Sequence, residues 1–166
     1  MFDAKQAREK IVKPVLHGIG MWNEYAEELM MGTLAVESQG GTYLVQQNAG
    51  PALGVFQMEP ATHDDIWQKW LPNHPAIANN LMQSCMISMK PAAAMMVSNL
   101  FYACAMARIE YFRNTAAPIP ATLEEQAEFW VKYYNRGSQA TPEKFISAYR
   151  SFLGIEQPKA KAPKAK

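Results

Sequence analysis

The sequence predicts a single, mostly α-helical domain. Apolar residues recur at helical spacing through most of the chain, and no alternating, strand-like run of useful length is present. The length of 166 residues is enough for one domain with a sizeable core and too short for two comfortable ones. We therefore expect an all-α domain over residues 1–153, followed by a disordered tail rich in Lys, Ala and Pro over residues 154–166.

Helix boundaries follow from the residues that begin and end helices. Pro60 and Pro142 are suited to the first turn of a helix, and Thr122 followed by Glu125 resembles a capping box. Pro14 predicts a break or a kink inside the first helix. The predicted helices cover residues 4–19, 22–38, 60–70, 75–89, 92–114, 123–134 and 142–152.

Glu37 is the most unusual carboxylate of the sequence. It continues the apolar face formed by Met30 and Leu34, and it lies at the carboxyl end of a helix that Gly40 and Gly41 terminate. Burial and the negative end of the helix dipole both disfavour the charged form, so both raise the pKa of a carboxyl group. A protonated carboxyl at neutral pH is what a general acid requires. The alternative is a glutamate at the edge of the face with its head in solvent.

Composition and charge exclude several other classes of function. Four of the lysines lie in the last eight residues, and removing them from the net charge of +1 leaves −3, with no basic stripe for nucleic acid. The tail is expected to be solvated, or else to be attracted loosely to anionic envelope polymers. The histidines lack ligand spacing, so we expect neither a metal nor a cofactor.

The apolar residues predict no membrane span and no secretory signal. No run of about 18 apolar residues is present, and the first residues are amphipathic and charged. We expect synthesis in a cytoplasm without a signal peptide.

Three blocks of sequence, in this order, resemble the soluble lytic transglycosylase family, whose lysozyme-like fold is shared with goose-type lysozymes. The blocks are ESQGG at 37–41, GVFQMEPAT at 54–62 and YYNRG at 133–137. The chain departs from the family pattern in having Val55-Phe56 for Leu-Met, Glu59 for an apolar residue, Tyr133 for an alanine and Arg136 for a small residue.

The resemblance implies a single-domain lysozyme-like fold with a loop-rich lobe around a cleft. It also implies cleavage of the β-1,4 bond between N-acetylmuramic acid and N-acetylglucosamine in a peptidoglycan glycan strand, with a 1,6-anhydro product. Glu37 would be the catalytic residue, first as acid and then as base. Tyr134 would hydrogen-bond the Glu37 carboxyl or hold the N-acetyl group. The residues expected to contact substrate are Ser38, Gly54, Phe56, Gln57, Met58, Tyr134 and Asn135.

Two alternatives stay open. Glu59, Asp64 or Asp65 would supply a second carboxylate to a muramidase that uses water, although acids after a helix start are also favoured by the helix dipole. A non-catalytic structural protein of a virus particle that kept the fold is the other alternative. Compact enzymes of this kind are common in tailed bacteriophages, either as lysins or as particle-borne enzymes beside other virion proteins, and they act in the periplasm or cell wall.

Overall fold

The computed structural model describes residues 1–137 and 139–155, and this part of the chain is mostly helical. The only β-structure within it consists of isolated antiparallel bridges between Val45 and Leu53 and between Leu53 and Met58. The prediction of an all-α protein is therefore confirmed at the level of fold class. The helices are α1 (4–18), α2 (Glu24–Ser38), α3 (60–73), α4 (Pro75–Ser84), α5 (Met95–Ser98), α6 (Leu100–Asn114), α7 (Leu123–Tyr133) and α8 (Pro142–Leu153).

Helix α1 continues through Pro14 instead of breaking there. Its segments Ala4–Ala7 and Lys13–Gly18 are α-helical, and the intervening Arg8–Val12 is a π-helical turn. Pro14 has no N–H to donate to the preceding turn, and a wider turn just before the proline gives its ring room without ending the helix.

Helix α2 is buried on almost all sides and forms the centre of the fold. Asn23 caps it, because the Asn23 side-chain oxygen accepts a hydrogen bond from the Ala26 N–H at 2.7 Å. The predicted single apolar face was too narrow, since Leu29, Met30 and Met31 are all fully buried. A helix that is buried all round positions its carboxyl end, and hence Glu37, rigidly against neighbouring helices.

Gly32 lies at a close contact between α2 and Phe145 of α8. A Cβ atom placed on Gly32 would lie 2.1 Å from Cζ of Phe145. Gly32 therefore allows the Phe145 ring to pack directly on the backbone of α2.

We expect Gly32→Ala to destabilise the protein by about 1–3 kcal/mol, because the added methyl group overpacks the α2–α8 contact. At an open helix position the same change would stabilise by roughly 0.5–1 kcal/mol, so the sign is diagnostic. Chemical denaturation measures it. The matched control makes the same change in a Phe145→Leu variant. Adding the methyl group there should lower the free energy of unfolding by less than it does in the presence of Phe145. Increased stability of the single variant would contradict the packing described here.

Two of the predicted helices end or break earlier than expected. Helix α4 ends at Ser84 and not at residue 89, because Met86 adopts a left-handed backbone conformation with φ of 54°. The predicted helix over 92–114 is divided at Asn99, whose side chain accepts from the Tyr102 N–H at 3.0 Å and donates to the Cys85 carbonyl at 3.0 Å. These side-chain hydrogen bonds let Asn99 begin α6 while it holds the end of α4.

The two last helices lie where they were predicted. Thr122 caps α7 through the Glu125 N–H, and its hydroxyl bonds the Glu125 carboxylate at 2.6 Å. Helix α8 begins at Pro142 and ends at Leu153, where Gly154 adopts a left-handed conformation with φ of 67°.

The predicted tail lies largely outside the described residues, which end at Ile155. The assignment of residues 1–153 to one domain stays a prediction. Within the described ranges, no helix combines the length and apolar character needed to cross a membrane.

Candidate active site

A polar cleft of about 780 Å³ opens beside the carboxyl end of α2. This volume lies within the range of ordinary ligand-binding clefts. Three parts of the chain form most of it: the end of α2, the loop at 39–59 and the turn that follows α7. The lining residues are Val36, Glu37, Gln39, Tyr43, Gln46, Gln47, Asn48, Ala52, Gln57, Met58, Glu59, Thr62, Glu110, Tyr134, Asn135, Arg136 and Gly137.

Glu37 lies in this cleft with one carboxylate oxygen held by two donors. The indole N–H of Trp130 donates to Glu37 Oε1 at 2.9 Å, and the Asn135 amide donates to the same oxygen at 3.3 Å. No described residue is hydrogen-bonded to Oε2. The carboxyl group is thereby fixed in orientation through one oxygen, and the other is available to a ligand in the cleft.

The surroundings of Glu37 raise its pKa from an ordinary value of 4.5 to about 7. Burial of the carboxyl group is the main cause, since removal from water disfavours the charged form. The hydrogen bonds from Trp130 and Asn135 act in the opposite direction and limit the rise. A carboxyl group with a pKa near 7 can both give and take a proton at neutral pH, as a group that serves as acid and then base requires.

We expect Trp130→Phe to raise the pKa of Glu37 further, because the variant loses an N–H that favours the carboxylate while keeping an aromatic ring beside Phe145. The alkaline limb of the pH–activity profile should then move to higher pH. Trp67→Phe is the matched control, since the Trp67 indole donates to the Tyr102 hydroxyl and not to Glu37. An alkaline limb that moves to lower pH in Trp130→Phe would contradict this geometry.

Gln57 and Met58 reach the cleft through a tight turn in the 39–59 loop. The backbone of Leu53 and Met58 pairs in both directions, and the Gln57 side chain donates to the Gly54 carbonyl at 2.7 Å. This bond uses the Gln57 amide nitrogen, and the amide oxygen forms no hydrogen bond with the described residues and can accept one. Gln57 itself has a φ of 49°, so the turn is held in a left-handed conformation.

Tyr134 lies in the cleft wall, but its hydroxyl does not bond Glu37. It donates to the Phe56 carbonyl at 2.7 Å, and the ring stacks on Tyr111 with a centroid separation of 4.9 Å. The expected bond to the Glu37 carboxyl is replaced by bonds from Trp130 and Asn135. Tyr134 instead joins the end of α7 to the 39–59 loop and so fixes the width of the cleft.

Asn135 connects Glu37 to the turn after α7. Its amide nitrogen bonds Glu37, and its amide oxygen accepts from the Gly137 N–H at 3.2 Å. The turn after α7 is therefore shaped by the same side chain that contacts the candidate acid.

Three of the residues expected to contact substrate lie behind the cleft wall. Ser38 is fully buried, where its hydroxyl donates to the Leu34 carbonyl and accepts from the Gly41 N–H. Phe56 is also buried in the core. A Cβ atom on Gly54, which has a φ of 73°, would lie 2.4 Å from the Met96 carbonyl oxygen. This glycine permits a close approach of backbone to backbone, and not of backbone to ligand.

Of the three carboxylates considered as a second catalytic group, one lies in the cleft and two lie outside it. Glu59 lines the cleft. Asp64 and Asp65 do not line it, and both have lowered pKa values, since Asp64 bonds Lys90 and His63 and Asp65 bonds Lys69 and Arg113.

The residues missed from the sequence include Trp130, which holds the Glu37 carboxyl without lining the cleft, and Glu110, which lines the cleft. Trp130 lies 93 positions from Glu37, but its spacing of four residues before Tyr134 on one helix face was an available signal. The two carboxylate oxygens of Glu110 accept from Arg113 Nε at 2.5 Å and from Asn114 Nδ2 at 2.7 Å. The position of Glu110 within the apolar sequence of α6 was a signal in the sequence that could have identified it.

Comparison of the chain with protein-family models, with curated proteins and with solved structures gave no match. The function is therefore inferred from the geometry of the cleft and from the sequence blocks whose residues line it.

Proposed function

We propose that the protein is a peptidoglycan-degrading lytic transglycosylase with a lysozyme-like fold. The observation that carries this proposal is the Glu37 carboxyl, which is held through one oxygen in a polar cleft with a pKa of about 7. The proposal also draws on the three sequence blocks, because residues from each of them line this cleft.

In the proposed reaction, Glu37 donates its proton to the oxygen that bridges the two sugars. The N-acetyl oxygen of the muramic acid residue attacks its anomeric carbon as the bond to the leaving oxygen breaks. The Glu37 carboxylate then accepts the proton of the C6 hydroxyl, whose oxygen closes the 1,6-anhydro ring and releases the N-acetyl group. This route needs one carboxyl group, which alternates between acid and base.

Polar residues around Glu37 suit a glycan strand. Gln57 offers an amide oxygen to an acetamido N–H or a sugar hydroxyl, and Gln46, Gln47 and Asn48 add further donors and acceptors on the loop. Tyr43 and Met58 supply apolar surface for the face of a sugar ring.

A hydrolytic muramidase is the second candidate, and the carboxylates of Glu59 and Glu110 in the same cleft favour it. Hydrolysis with inversion uses a second carboxylate to activate water. Glu59 is exposed and available for this role, whereas Glu110 is engaged by Arg113 and Asn114.

Mass analysis of the products from purified peptidoglycan distinguishes the candidates. A transglycosylase yields muropeptides with a 1,6-anhydro end, which are lighter by one water molecule than the reducing ends that a muramidase yields. We expect anhydro products. Absence of either product with folded protein would instead indicate a non-catalytic protein that kept the fold.

We further propose that the protein acts on the bacterial cell wall for a tailed bacteriophage, either in lysis or as part of the particle. This setting is an extension of the family resemblance. Mass spectrometry of purified particles tests it, since a particle-borne enzyme is found beside other virion proteins and a lysin is not.

A further inference from the structure

A second groove, of about 680 Å³, lies beside α6 and shares no lining residue with the Glu37 cleft. Successive helical residues turn by about 100°, so Arg108 and Phe112 point away from Glu110, which faces the cleft. The connector at 115–119 forms one wall of this second groove.

Arg108 lies in the second groove as a buried cation without a counterion. The residue is 7 % exposed, and its Nε is buried with no hydrogen-bond partner among the described residues. No described carboxylate forms an ion pair with it. Arg113, also in the groove, is by contrast paired with Glu110 and Asp65.

The protein itself offsets little of the cost of burying the Arg108 charge. A buried charge needs a partner to offset its loss of hydration, and burial lowers the pKa of Arg108 for that reason. The Phe112 ring, whose centroid lies 5.8 Å from the Arg108 guanidinium carbon, offsets only part of the cost. An anion in the groove would supply the missing interaction, because a guanidinium binds a carboxylate through two parallel hydrogen bonds.

The other residues lining the groove indicate what kind of molecule bears the anionic group. Trp70, Phe112 and Phe129 present aromatic surface, and Ile119 adds an aliphatic side chain. None of the described residues lining the groove is Asp or Glu. Asn23, His74, Asn114 and Thr115 add polar groups to the lining. One unneutralised cation among mostly apolar walls suits a compact organic acid better than a hydrated inorganic ion.

We propose that the second groove binds a carboxylate attached to a small apolar body, with Arg108 as the residue that pairs with it. Such a carboxylate is found both in free aromatic acids and at the carboxyl end of short peptides. The proposal does not depend on catalysis at Glu37, because none of the residues lining the groove lines the Glu37 cleft and binding is measured without turnover.

Titration of the full chain, followed by the NMR resonance of the Arg108 Nε–H, tests the proposal. The probes are benzoate and N-acetyl-alanyl-alanine, each compared with its neutral amide, and inorganic phosphate. We expect at least one carboxylate to saturate the site with a Kd on the order of 1 mM, as is typical of ligands of this size. Its amide should bind at least tenfold more weakly. Preference for benzoate identifies an aromatic acid as the occupant, and preference for the peptide identifies a peptide end.

Two variants complete the test. Arg108→Met should bind the preferred carboxylate at least tenfold more weakly while unfolding at the same or a higher temperature, since an unpaired buried charge is replaced by an apolar side chain. Arg150→Gln is the matched control and should bind like the natural protein, because Arg150 pairs with Glu124 on α7 outside the groove. Equal binding of the acids and their amides, or tighter binding of phosphate than of either acid, would overturn the proposal even if Arg108→Met failed to fold.

Discussion

Replacing Glu37 with Gln is expected to lower the rate of glycan cleavage by about 10²–10⁴-fold, the contribution typical of a general acid or base. Gln keeps the shape of the side chain and an oxygen to accept from Trp130 Nε1, but it has no proton to give to the leaving oxygen and cannot take one from the C6 hydroxyl. The binding of a glycan strand should change little, because the loop residues that line the cleft are unaltered. Release of soluble muropeptides from purified peptidoglycan measures the rate.

The control for this change is Glu128→Gln, which removes a carboxylate from an exposed position on α7 outside the cleft. We expect this variant to cleave at the rate of the natural protein. Circular dichroism and thermal unfolding of both variants separate a chemical effect from a loss of fold. Cleavage by folded Glu37→Gln at an undiminished rate would exclude Glu37 as the catalytic acid.

The same substitution should change the dependence of stability on pH. The pKa of Glu37 is about 7 in the folded protein against an ordinary value of 4.5, so the folded state binds more protons than the unfolded state between these values. Stability therefore falls as pH rises from about 4.5 to 7. Each pKa unit corresponds to about 1.4 kcal/mol, and the full difference corresponds to about 3 kcal/mol.

Glu37→Gln removes this dependence, since its amide does not titrate. We expect the variant and the natural protein to have similar free energies of unfolding at pH 4, and the variant to be more stable by about 3 kcal/mol at pH 8. Urea denaturation of both proteins at the two pH values measures the difference between their free energies of unfolding. Other titrating groups contribute equally to both proteins, so their contributions cancel in this difference. An equal difference in stability at both pH values would mean that Glu37 titrates alike in the folded and unfolded chain.

Local sequence signals predicted the carboxyl end of α2 correctly, since Gly40 and Gly41 follow its last residue, Ser38. The predicted start of this helix at residue 22 was two residues early, because Asn23 caps the helix and Glu24 is its first residue. The break at Asn99 was not predictable in this way, because it depends partly on a bond to the Cys85 carbonyl, which lies 14 positions away. Apolar periodicity continues across that break and favoured one long helix.

The environment of Glu37 depends on contacts between distant parts of the chain. The helix position of Glu37 suggested burial, but the residues that hold its carboxyl group follow it by 93 and 98 positions. The sequence blocks indicated Asn135 and Tyr134, yet they could not show that the Tyr134 hydroxyl bonds the Phe56 carbonyl. Periodicity shows which face of a helix is buried, whereas only the packing of α2 against α7 determines which donor meets which acceptor.

The most direct test of the account is an NMR titration of the Glu37 side-chain carboxyl carbon, assigned by its loss in Glu37→Gln. We predict a pKa of about 7, well above the ordinary 4.5, because the carboxyl group is buried beside the cleft. A measured pKa at or below 4.5 would show that Glu37 is a solvated carboxylate at neutral pH, and it would contradict the role of Glu37 as a proton donor.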